Sequence, residues 1–365
     1  MRVLVTGYSG YIGCALTRML VEAGHEVVGI DSELFSQCTF GRNDGSDIPC
    51  IDADIRELNP SHFQGIDAIA HLAGICNDPL GDLIPETTYD INHRATVRLA
   101  ELASAAGVRR FVFSSSCSVY GAAGQDWVDE TAVPNPVTPY GVSKYDAECG
   151  LAALANDDFS PVFLRSATAY GFSPRIRFDL VLNNLMAYAF TSKQVYLKSD
   201  GMAWRPIVHI EDISRAFIAA LEAPREVVHN QVFNVGVTTE NYRVREIAEI
   251  VKATVPGSSL AYAQGAGADK RSYRVDCSKI SRRLPNFRPQ WTAPAGAKEL
   301  YQRYADFGLA SEDFEGPRYQ RLAYLKSLLS RGFIDSTLRW LPPAEVWRHA
   351  PAEDAGRSPL LKQSA

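Results

Sequence analysis

The chain has 365 residues, of which 46% are hydrophobic and 22% charged, enough for two lobes around one large core or for two small domains. The net charge is −5 and no basic run is interleaved with aromatic residues, which excludes nucleic acid as a partner. No apolar run approaches the roughly 20 residues of a membrane helix, so no membrane association is expected. The seven cysteines lack Cys-x-x-Cys spacing and predict reduced thiols in a cytoplasmic protein without a structural metal.

The first apolar segment, Val3 to Val5, is expected to be a strand rather than a leader peptide. It breaks at a glycine and reopens as an amphipathic helix from about Tyr11 to Ala23, the layout of the first βα turn of a dinucleotide fold. A Cβ on any glycine of this turn would hold the backbone away from a pyrophosphate or from the sheet. The predicted cofactor contacts of this turn are Gly7, Gly10, Tyr11, Ile12 and Gly13.

The next strand ends in Asp31, where a carboxylate accepts hydrogen bonds from both ribose hydroxyls of NAD and repels the 2′-phosphate of NADP. NAD is therefore the predicted cofactor. Asp54 and Ile55 are predicted to frame the adenine edge, and small residues after the strand Asp67 to His71 let the backbone approach the cofactor. The further predicted cofactor residues are Leu72, Ala73, Gly74, Asn92 and Ser114.

Strands alternate with helices through residue 170, which predicts an α/β fold with a doubly wound parallel Rossmann sheet. Later elements, including a helix through Leu221 and a strand at Val232 to Gly236, are expected to form a smaller α/β lobe over the carboxyl ends of that sheet. The expected organisation is an NAD-binding domain over 1–170, to which later segments return, a substrate lobe over 171–296, a helical extension over 297–341 and a disordered tail over 342–365.

Tyr140 and Lys144 lie four residues apart at the start of a predicted helix, so both project from one face. A neighbouring ammonium and a positively charged nicotinamide favour the phenolate, which makes Tyr140 a candidate base for a substrate hydroxyl. Lys144 also has the reach to hold the nicotinamide ribose. Ser116, at the end of a Ser-Ser-Ser strand, is predicted to hydrogen-bond the same substrate oxygen.

Six motifs stand together in this chain: Thr6-Gly7-x-x-Gly10-x-x-Gly13, Asp54-Ile55, His71-Leu72-Ala73-Gly74, Ser114-Ser115-Ser116-x-Ser118-Val119-Tyr120-Gly121, Tyr140-x-x-x-Lys144 and Arg205-Pro206-x-Val208-His209-x-x-Asp212. Their combination resembles the extended short-chain dehydrogenase/reductase family, in its nucleotide-sugar epimerase and dehydratase branch, over about residues 1 to 290. The resemblance implies a smaller lobe that binds a nucleotide-diphosphate sugar. It also implies a homodimer built from a four-helix bundle, here from Asn92 to Ala106 and Pro139 to Ala155.

Within this branch, dehydratases place an acid pair just after the catalytic hydroxyl residue, where this chain has Cys117 and Ser118. A thiol and a hydroxyl replace a carboxylic acid poorly, so the arrangement is more similar to UDP-galactose 4-epimerases. Two departures from that pattern are Ala266 in place of an arginine, for which Arg271 or Arg274 is the substitute, and Thr168 in place of an asparagine. The residues predicted to bind the substrate are Ser116, Ser118, Thr168, Arg177, Asn183, Asn184, Arg205, Arg271 and Tyr273.

The predicted activity is therefore an NAD-dependent epimerisation at C4 of the sugar through a transient 4-keto intermediate, with Arg205 and Arg271 clamping the diphosphate. An NADPH-dependent 4-ketosugar reductase and a variant dehydratase are the alternative enzymes. A reductase requires added cofactor, and a dehydratase yields a persistent keto product. A non-catalytic NAD-sensing regulator is the alternative of another class, and its function would survive Tyr140→Phe.

Overall fold

The computed structural model describes residues 1–41, 47–121, 126–263 and 272–342. Arg271 and nearly all of the predicted tail lie outside the described residues. The strands β1 to β14 are, in chain order, Arg2–Thr6, Glu26–Asp31, Cys50–Asp52, Ala68–His71, Arg110–Ser116, Trp127–Val128, Ser160–Ser166, Thr168–Tyr170, Gln194–Leu197, Trp204–His209, Gln231–Val235, Asn241–Arg243, Ser259–Tyr262 and Arg274–Val275. The helices α1 to α13 are Tyr11–Glu22, Asp78–Gly81, Pro85–Tyr89, Thr96–Ala105, Pro139–Ala153, Val181–Ser192, Ile210–Glu222, Arg225–Val228, Val244–Thr254, Ser278–Arg283, Ala293–Phe307, Ser311–Glu315 and Arg321–Ser330.

A seven-stranded sheet with the order β11-β7-β5-β4-β1-β2-β3 forms the centre of the molecule. Every pairing in it is parallel, which confirms the predicted doubly wound sheet. The chain leaves β1 towards β2 on one side and reaches β4 on the other side. The strand order therefore reverses at β1, and a crevice opens there at the carboxyl ends of the strands.

Both faces of this sheet are covered, as expected for parallel strands. Val3 and Val5 of β1 pack in a core with Phe217 of α7, whereas Leu4 between them packs in a second core with Leu99 of α4. Successive side chains of a strand point to opposite faces, so an uninterrupted apolar strand is buried on both sides. Val3, Leu4 and Val5 have no solvent-exposed surface.

The predicted strand Val232 to Gly236, expected in the smaller lobe, belongs to the large sheet instead. β11 pairs in parallel with β7, from Gln231 opposite Val162 to Val235 opposite Ser166. The helix α7, also expected in the smaller lobe, packs against α1 on the face of the same sheet. An apolar run shows that a strand is buried, but not which of two adjacent sheets it joins. The chain thus returns to the Rossmann sheet after visiting the smaller lobe.

The smaller lobe contains the sheet β12-β10-β8 and the parallel pair β13-β9. Its helices α6, α9 and α11 share an apolar core that includes Leu182, Ile247 and Leu300. Helix α11 begins at Ala293, slightly before the predicted start of the extension. Helix α13 continues the extension and packs against α2. Within the described ranges, no helix is both long and apolar enough to span a bilayer.

Candidate active site

A cavity of about 600 Å³ lies at the carboxyl ends of the central strands, between the large sheet and the smaller lobe. The glycine turn after β1, the end of β2 and the first turn of α5 all contribute to its wall. The predicted cofactor residues that line it are Gly7, Gly10, Tyr11, Ile12, Gly13, Asp31, Asp54, Ile55, Leu72, Ala73, Gly74, Ser114, Tyr140 and Lys144. Sequence spacing and tertiary structure therefore converge on one cavity.

The glycine turn is too tight for side chains at two of its positions. Gly7 has a φ of +73°, and a Cβ there would lie 2.8 Å from the backbone nitrogen of Ala73. A Cβ on Gly13 would lie 2.0 Å from the carbonyl oxygen of Gly7. Gly10 is the N-cap of α1 and offers no side chain to its first turn. The helix N-terminus at the cavity is thus bare backbone, an arrangement that suits a phosphate anion.

Asp31 lies at the end of β2 and is held by two backbone donors. Its carboxylate accepts hydrogen bonds from the Ser9 nitrogen at 3.3 Å and from the Glu33 nitrogen at 3.0 Å. Burial, with a smaller contribution from the charge of Glu33, raises the pKa of Asp31 to about 6. Because burial removes water from this carboxylate, new hydrogen-bond donors such as the two hydroxyls of a ribose stabilise its ionised form strongly.

Ile55 enters the cavity beside a rigid ion pair. The Asp54 carboxylate caps the short helical turn that follows it, and its two oxygens accept from the Arg56 guanidinium at 2.9 and 2.5 Å. The Arg56 guanidinium also reaches Asp90 at 3.3 Å. The position of Ile55 is therefore set by its neighbours on both sides.

Asn92 does not line the cavity but supports its wall from behind. Its side-chain oxygen accepts from the Ile75 nitrogen at 2.7 Å, and its nitrogen donates to the Ile75 carbonyl at 2.9 Å and to Ser143. It lies in a π-helical turn, Asp90–Ala95, inserted between α3 and α4, where the sequence predicts a regular helix. Asn92 thus holds the loop that follows Gly74 in place through its hydrogen bonds with Ile75.

The start of α5 presents Tyr140 and Lys144 to the cavity. Thr138 caps the helix by accepting from the Gly141 nitrogen at 3.2 Å, and Pro139 occupies the first turn. The phenol of Tyr140 and the hydroxyl of Ser116 line the same part of the wall, and Ser116 lowers the pKa of the phenol. The Lys144 Nζ donates to the Ser114 carbonyl at 2.9 Å and lies 4.7 Å from the Phe113 ring centre. The three predicted catalytic residues therefore meet at one end of the cavity.

The electrostatics of this end are dominated by burial. Burial raises the pKa of Tyr140, whereas the polar Ser116 hydroxyl and the charge of Arg177 lower it. Burial also lowers the pKa of Lys144 to about 8. In the protein without cofactor, Tyr140 is thus a neutral phenol at pH 7. Arg177 is the cation whose charge lowers the pKa of Tyr140 and so opposes the effect of burial. The spacing of Tyr140 and Lys144 along the helix did not predict this partner.

Arg177 is almost fully buried and is held by a fork of hydrogen bonds. Its guanidinium donates to both oxygens of Asp179, at 3.0 and 2.6 Å, and to the Cys76 carbonyl at 3.2 Å. After burial, the Arg177 charge and its hydrogen bond are the strongest influences on Asp179, and they lower the pKa of that carboxyl. A bidentate pair of this kind keeps both partners ionised. Asp179 is therefore a fixed anion and not a proton donor.

Most of the predicted substrate residues line the same cavity, and Asn183 is the exception among the described ones. Its amide is fully buried and hydrogen-bonds Gly171, Arg177 and the Tyr11 hydroxyl, which fixes the segment before α6. The substrate residues that line the cavity are Ser116, Ser118, Thr168, Arg177, Asn184, Arg205 and Tyr273.

Cys117 and Ser118 occupy different environments. The Cys117 side chain is 1% exposed, and its sulfur donates to the Arg165 carbonyl at 3.2 Å, away from the cavity. The Ser118 hydroxyl lines the cavity and accepts from Ser116 at 3.1 Å. Of the two positions where a dehydratase has its acids, only one thus faces the site, and it holds a hydroxyl.

Several residues that line the cavity belong to none of the sequence motifs and were not predicted from the sequence. Arg321, from the first turn of α13, is 4% exposed and donates to the Arg175 carbonyl at 3.1 Å. Leu338 and Phe35 also line the cavity, far from any motif in the sequence. Lys198 and Ser199 follow β9 and add polar groups at the smaller lobe. Only the tertiary structure brings these residues to the site.

The fold and the cavity define a dinucleotide-binding α/β protein with a Tyr-x-x-x-Lys pair, and comparisons with known proteins agree. Residues 3–236 match the model of the NAD dependent epimerase/dehydratase family. The UDP-glucose 4-epimerase of Neisseria meningitidis serogroup C is 30% identical over 291 residues, which cover 71% of this chain and 83% of that protein.

Two solved structures resemble the chain over nearly their whole length. MoeE5 in complex with UDP-glucuronic acid and NAD has a TM-score of 0.72 and 29% identity, and the match covers 84% of this chain and 99% of that one. The UDP-glucuronic acid 4-epimerase from Bacillus cereus in complex with UDP-glucuronic acid and NAD has a TM-score of 0.71 and 26% identity, with coverage of 84% and 99%. The chain belongs to the NAD dependent epimerase/dehydratase family, which confirms the resemblance seen in the motifs.

Proposed function

We propose that the chain is an NAD-dependent epimerase that inverts C4 of a nucleotide-diphosphate sugar through a transient 4-keto intermediate. The observation that carries the proposal is that Tyr140, Lys144 and Ser116 line the same cavity as the glycine turn and Asp31. A family relative at 30% identity is a UDP-glucose 4-epimerase, which supports this reaction over the alternatives.

The described residues fit a dinucleotide. A Cβ at Gly7 or Gly13 would clash with backbone, so this turn can approach a pyrophosphate closely, and Asp31 is a half-buried acceptor for ribose hydroxyls. Lys144 is proposed to hold the nicotinamide ribose. Bound NAD supplies the group that accepts a hydride from C4 of the sugar and later returns it to the opposite face.

The proton chemistry falls to Tyr140. Its phenolic oxygen accepts the proton of the C4 hydroxyl as the C–H bond breaks and returns a proton when the ketone is reduced. Ser116 donates a hydrogen bond to the same substrate oxygen and fixes its position. The positive charge of Arg177 favours the phenolate of Tyr140 once the cavity is filled.

The nucleotide end of the substrate is assigned to the smaller lobe. Arg205 lines the cavity from β10 and is proposed to bind the diphosphate with Arg271, whose position lies outside the described residues. Tight binding of the diphosphate retains the ketone while the hexose turns over to present its other face.

The decisive experiment is incubation of the purified protein with UDP-glucose or UDP-glucuronic acid and no added cofactor. Proton NMR of an epimerase reaction shows the C4 isomer accumulating to equilibrium. A persistent keto product would instead identify a dehydratase, which the buried Cys117 disfavours. A 4-ketosugar reductase would require NADPH and a keto substrate, and Asp31 opposes that cofactor.

The proposed oligomeric state and domain organisation rest on the same family membership. We infer a cytoplasmic homodimer in which α4 and α5 of two protomers form a four-helix bundle. These two helices pack closely, since a Cβ on Gly150 would lie 2.5 Å from Cγ2 of Val97. The proposed domains are the NAD-binding domain over 1–170, to which α7 and β11 return, the nucleotide-sugar lobe over the rest of 171–296 and the extension over 297–341. Light scattering that shows only monomers at micromolar concentration would contradict the dimer.

A further inference from the structure

The end of the helical extension forms a tight hairpin over Ile334 to Trp340, here termed the C-terminal hairpin. Ile334 and Trp340 form an antiparallel bridge, and the Asp335 nitrogen donates to the Arg339 carbonyl at 2.9 Å. The Asp335 carboxylate accepts from the nitrogens of Thr337 at 2.8 Å and Arg339 at 3.0 Å. Because its own hydrogen bonds close the turn, the hairpin is an ordered element rather than a loose end.

Hydrogen bonds attach the hairpin to the Rossmann lobe at several points, including one from the Arg339 guanidinium to Glu57 at 3.4 Å. The Trp340 indole donates to the Ser32 carbonyl at 2.9 Å, and the Arg56 guanidinium donates to the Thr337 carbonyl at 2.8 Å. The Thr87 hydroxyl donates to the Ser336 carbonyl at 3.0 Å. Ser32 follows Asp31 in the chain, and Arg56 follows Ile55. The hairpin is therefore anchored to both segments that a dinucleotide fold places around the adenosine of its cofactor.

Leu338 stands at the tip of the hairpin in a conformation that leucine rarely adopts. Its φ is +61°, in the left-handed region that favours glycine and asparagine. Its side chain is nevertheless 7% exposed, packs in a cluster with Leu34 and lines the cavity together with Ile55. A residue that its surroundings hold in an unfavourable backbone conformation often has a function at that position. Here the leucine side chain closes an apolar wall that glycine would leave open.

We propose that the C-terminal hairpin completes the adenosine subsite, with Leu338 and Ile55 as the apolar contacts for the adenine ring. The proposal rests on the assignment of NAD as the cofactor. Release of the cofactor then requires the hairpin to move, and its bonds to Ser32, Arg56 and Thr87 oppose that motion. Slow release suits an enzyme that must oxidise and reduce the sugar with the same cofactor molecule. The helical extension thus contributes to the cofactor site, and its role is not limited to covering the sugar or extending a dimer interface.

The test is binding of NAD and of ADP-ribose to Leu338→Gly, measured by calorimetry, with NAD release followed by stopped-flow fluorescence. ADP-ribose carries the adenosine end without nicotinamide, so it isolates the subsite. The expected result is about tenfold or greater loss of affinity for both ligands and faster release of NAD, because a large apolar contact is removed. Glycine suits a φ of +61°, which offsets part of the packing lost with the buried leucine, so the cofactor-free variant should stay folded with a lower melting temperature.

Lys193→Gly is the matched control. Lys193 also has a positive φ, +58°, but is exposed at the end of α6. It should change neither binding nor release. Leu338→Asn, which also tolerates this backbone, should weaken both ligands, and Trp340→Phe should speed release by removing the bond to Ser32. Far-UV circular dichroism verifies that each variant is folded.

The outcomes separate the two proposals. One outcome is that the wild-type protein binds NAD and the folded Leu338 variants bind and release NAD with the same affinity and rate. That result would overturn the role of the hairpin and leave the proposed function standing. Wild-type protein that binds no NAD would overturn both. Loss of affinity for NAD with full retention of ADP-ribose binding would also refute an adenosine contact by Leu338.

Discussion

The Nζ atom of Lys144 donates a hydrogen bond to the carbonyl oxygen of Ser114, across 2.9 Å, and so joins the helix that carries Tyr140 to the end of a central strand. This bond places a buried ammonium at the carboxyl edge of the sheet, next to the glycine-rich loop at Gly74, whose Cβ would lie 3.6 Å from that nitrogen. Burial, not a neighbouring charge, is the main cause of the low pKa of Lys144.

Replacing Lys144 by methionine should change how stability depends on pH. The pKa of Lys144 is about 8 in the folded protein and 10.5 in an unfolded chain, so the folded state binds fewer protons between these pH values. The cost of the buried ammonium is fully present below pH 8 and disappears as the pH rises to 10.5. Relative to Lys144→Met, the wild-type protein should gain about 3 kcal/mol of unfolding free energy across that range. Urea denaturation at several pH values measures the difference, and a constant difference would contradict a depressed pKa.

Tyr140→Phe should lower kcat about 100- to 10,000-fold while NAD still binds, because the substituted ring lacks the hydroxyl that exchanges a proton with the sugar. Epimerisation rates measured by NMR and NAD affinity measured by calorimetry separate the two effects. Tyr145→Phe, on the same helix but outside the cavity, is the matched control and should retain activity. Comparable loss in both variants would show that the effect comes from helix packing rather than from proton transfer.

The affinity for NAD should rise as the pH increases towards 6 and then level off. Burial raises the pKa of Asp31 to about 6 in the protein without cofactor, so part of the population is protonated below that pH. Ribose hydroxyls donate to the ionised form, so binding favours ionisation and releases a proton at low pH. Calorimetric titrations between pH 5 and 8 measure this trend. Asp31→Asn should flatten it and reduce the preference for NAD over NADP, and an unchanged pH profile in that variant would assign the trend to another group.

Glu148→Gln should destabilise the fold by about 3 to 5 kcal/mol, because it leaves a buried guanidinium without its counterion. Arg165 and Glu148 are both nearly buried and form paired hydrogen bonds of 2.9 and 2.6 Å that join β7 to α5. Chemical denaturation of the cofactor-free protein gives the change in unfolding free energy.

The exposed pair Arg94 and Glu86, 2.6 Å apart, provides the control for that measurement. Glu86→Gln should leave the unfolding free energy unchanged, because water screens both charges. Equal destabilisation by the two substitutions would show that burial does not govern these ion pairs.

The local sequence was sufficient to predict the elements whose geometry is set within one turn or one strand. The glycine spacing at Gly7 and Gly13 predicts a tight βα turn, and a Cβ on Gly13 would meet the backbone of Gly7 and Tyr8 within the same turn. The clash at Gly7 is with Ala73, which only the tertiary structure brings close. The spacing of Tyr140 and Lys144 places both side chains on one side of a helix for the same local reason. The parallel sheet follows from the alternation of apolar strands and amphipathic helices.

Only the tertiary structure decided which distant segments meet at the cavity. Nothing in the run Gln231–Val235 shows that it pairs with β7 in the large sheet, because strand pairing depends on contacts across about 70 residues of chain. Leu338 likewise reaches the cavity through contacts of its hairpin with distant segments, such as the bond from Trp340 to Ser32, more than 300 positions away. Asn92 and Asn183 are turned to backbone partners behind the wall rather than into the cavity. Such contacts arise from packing of the whole chain, and no local periodicity encodes them.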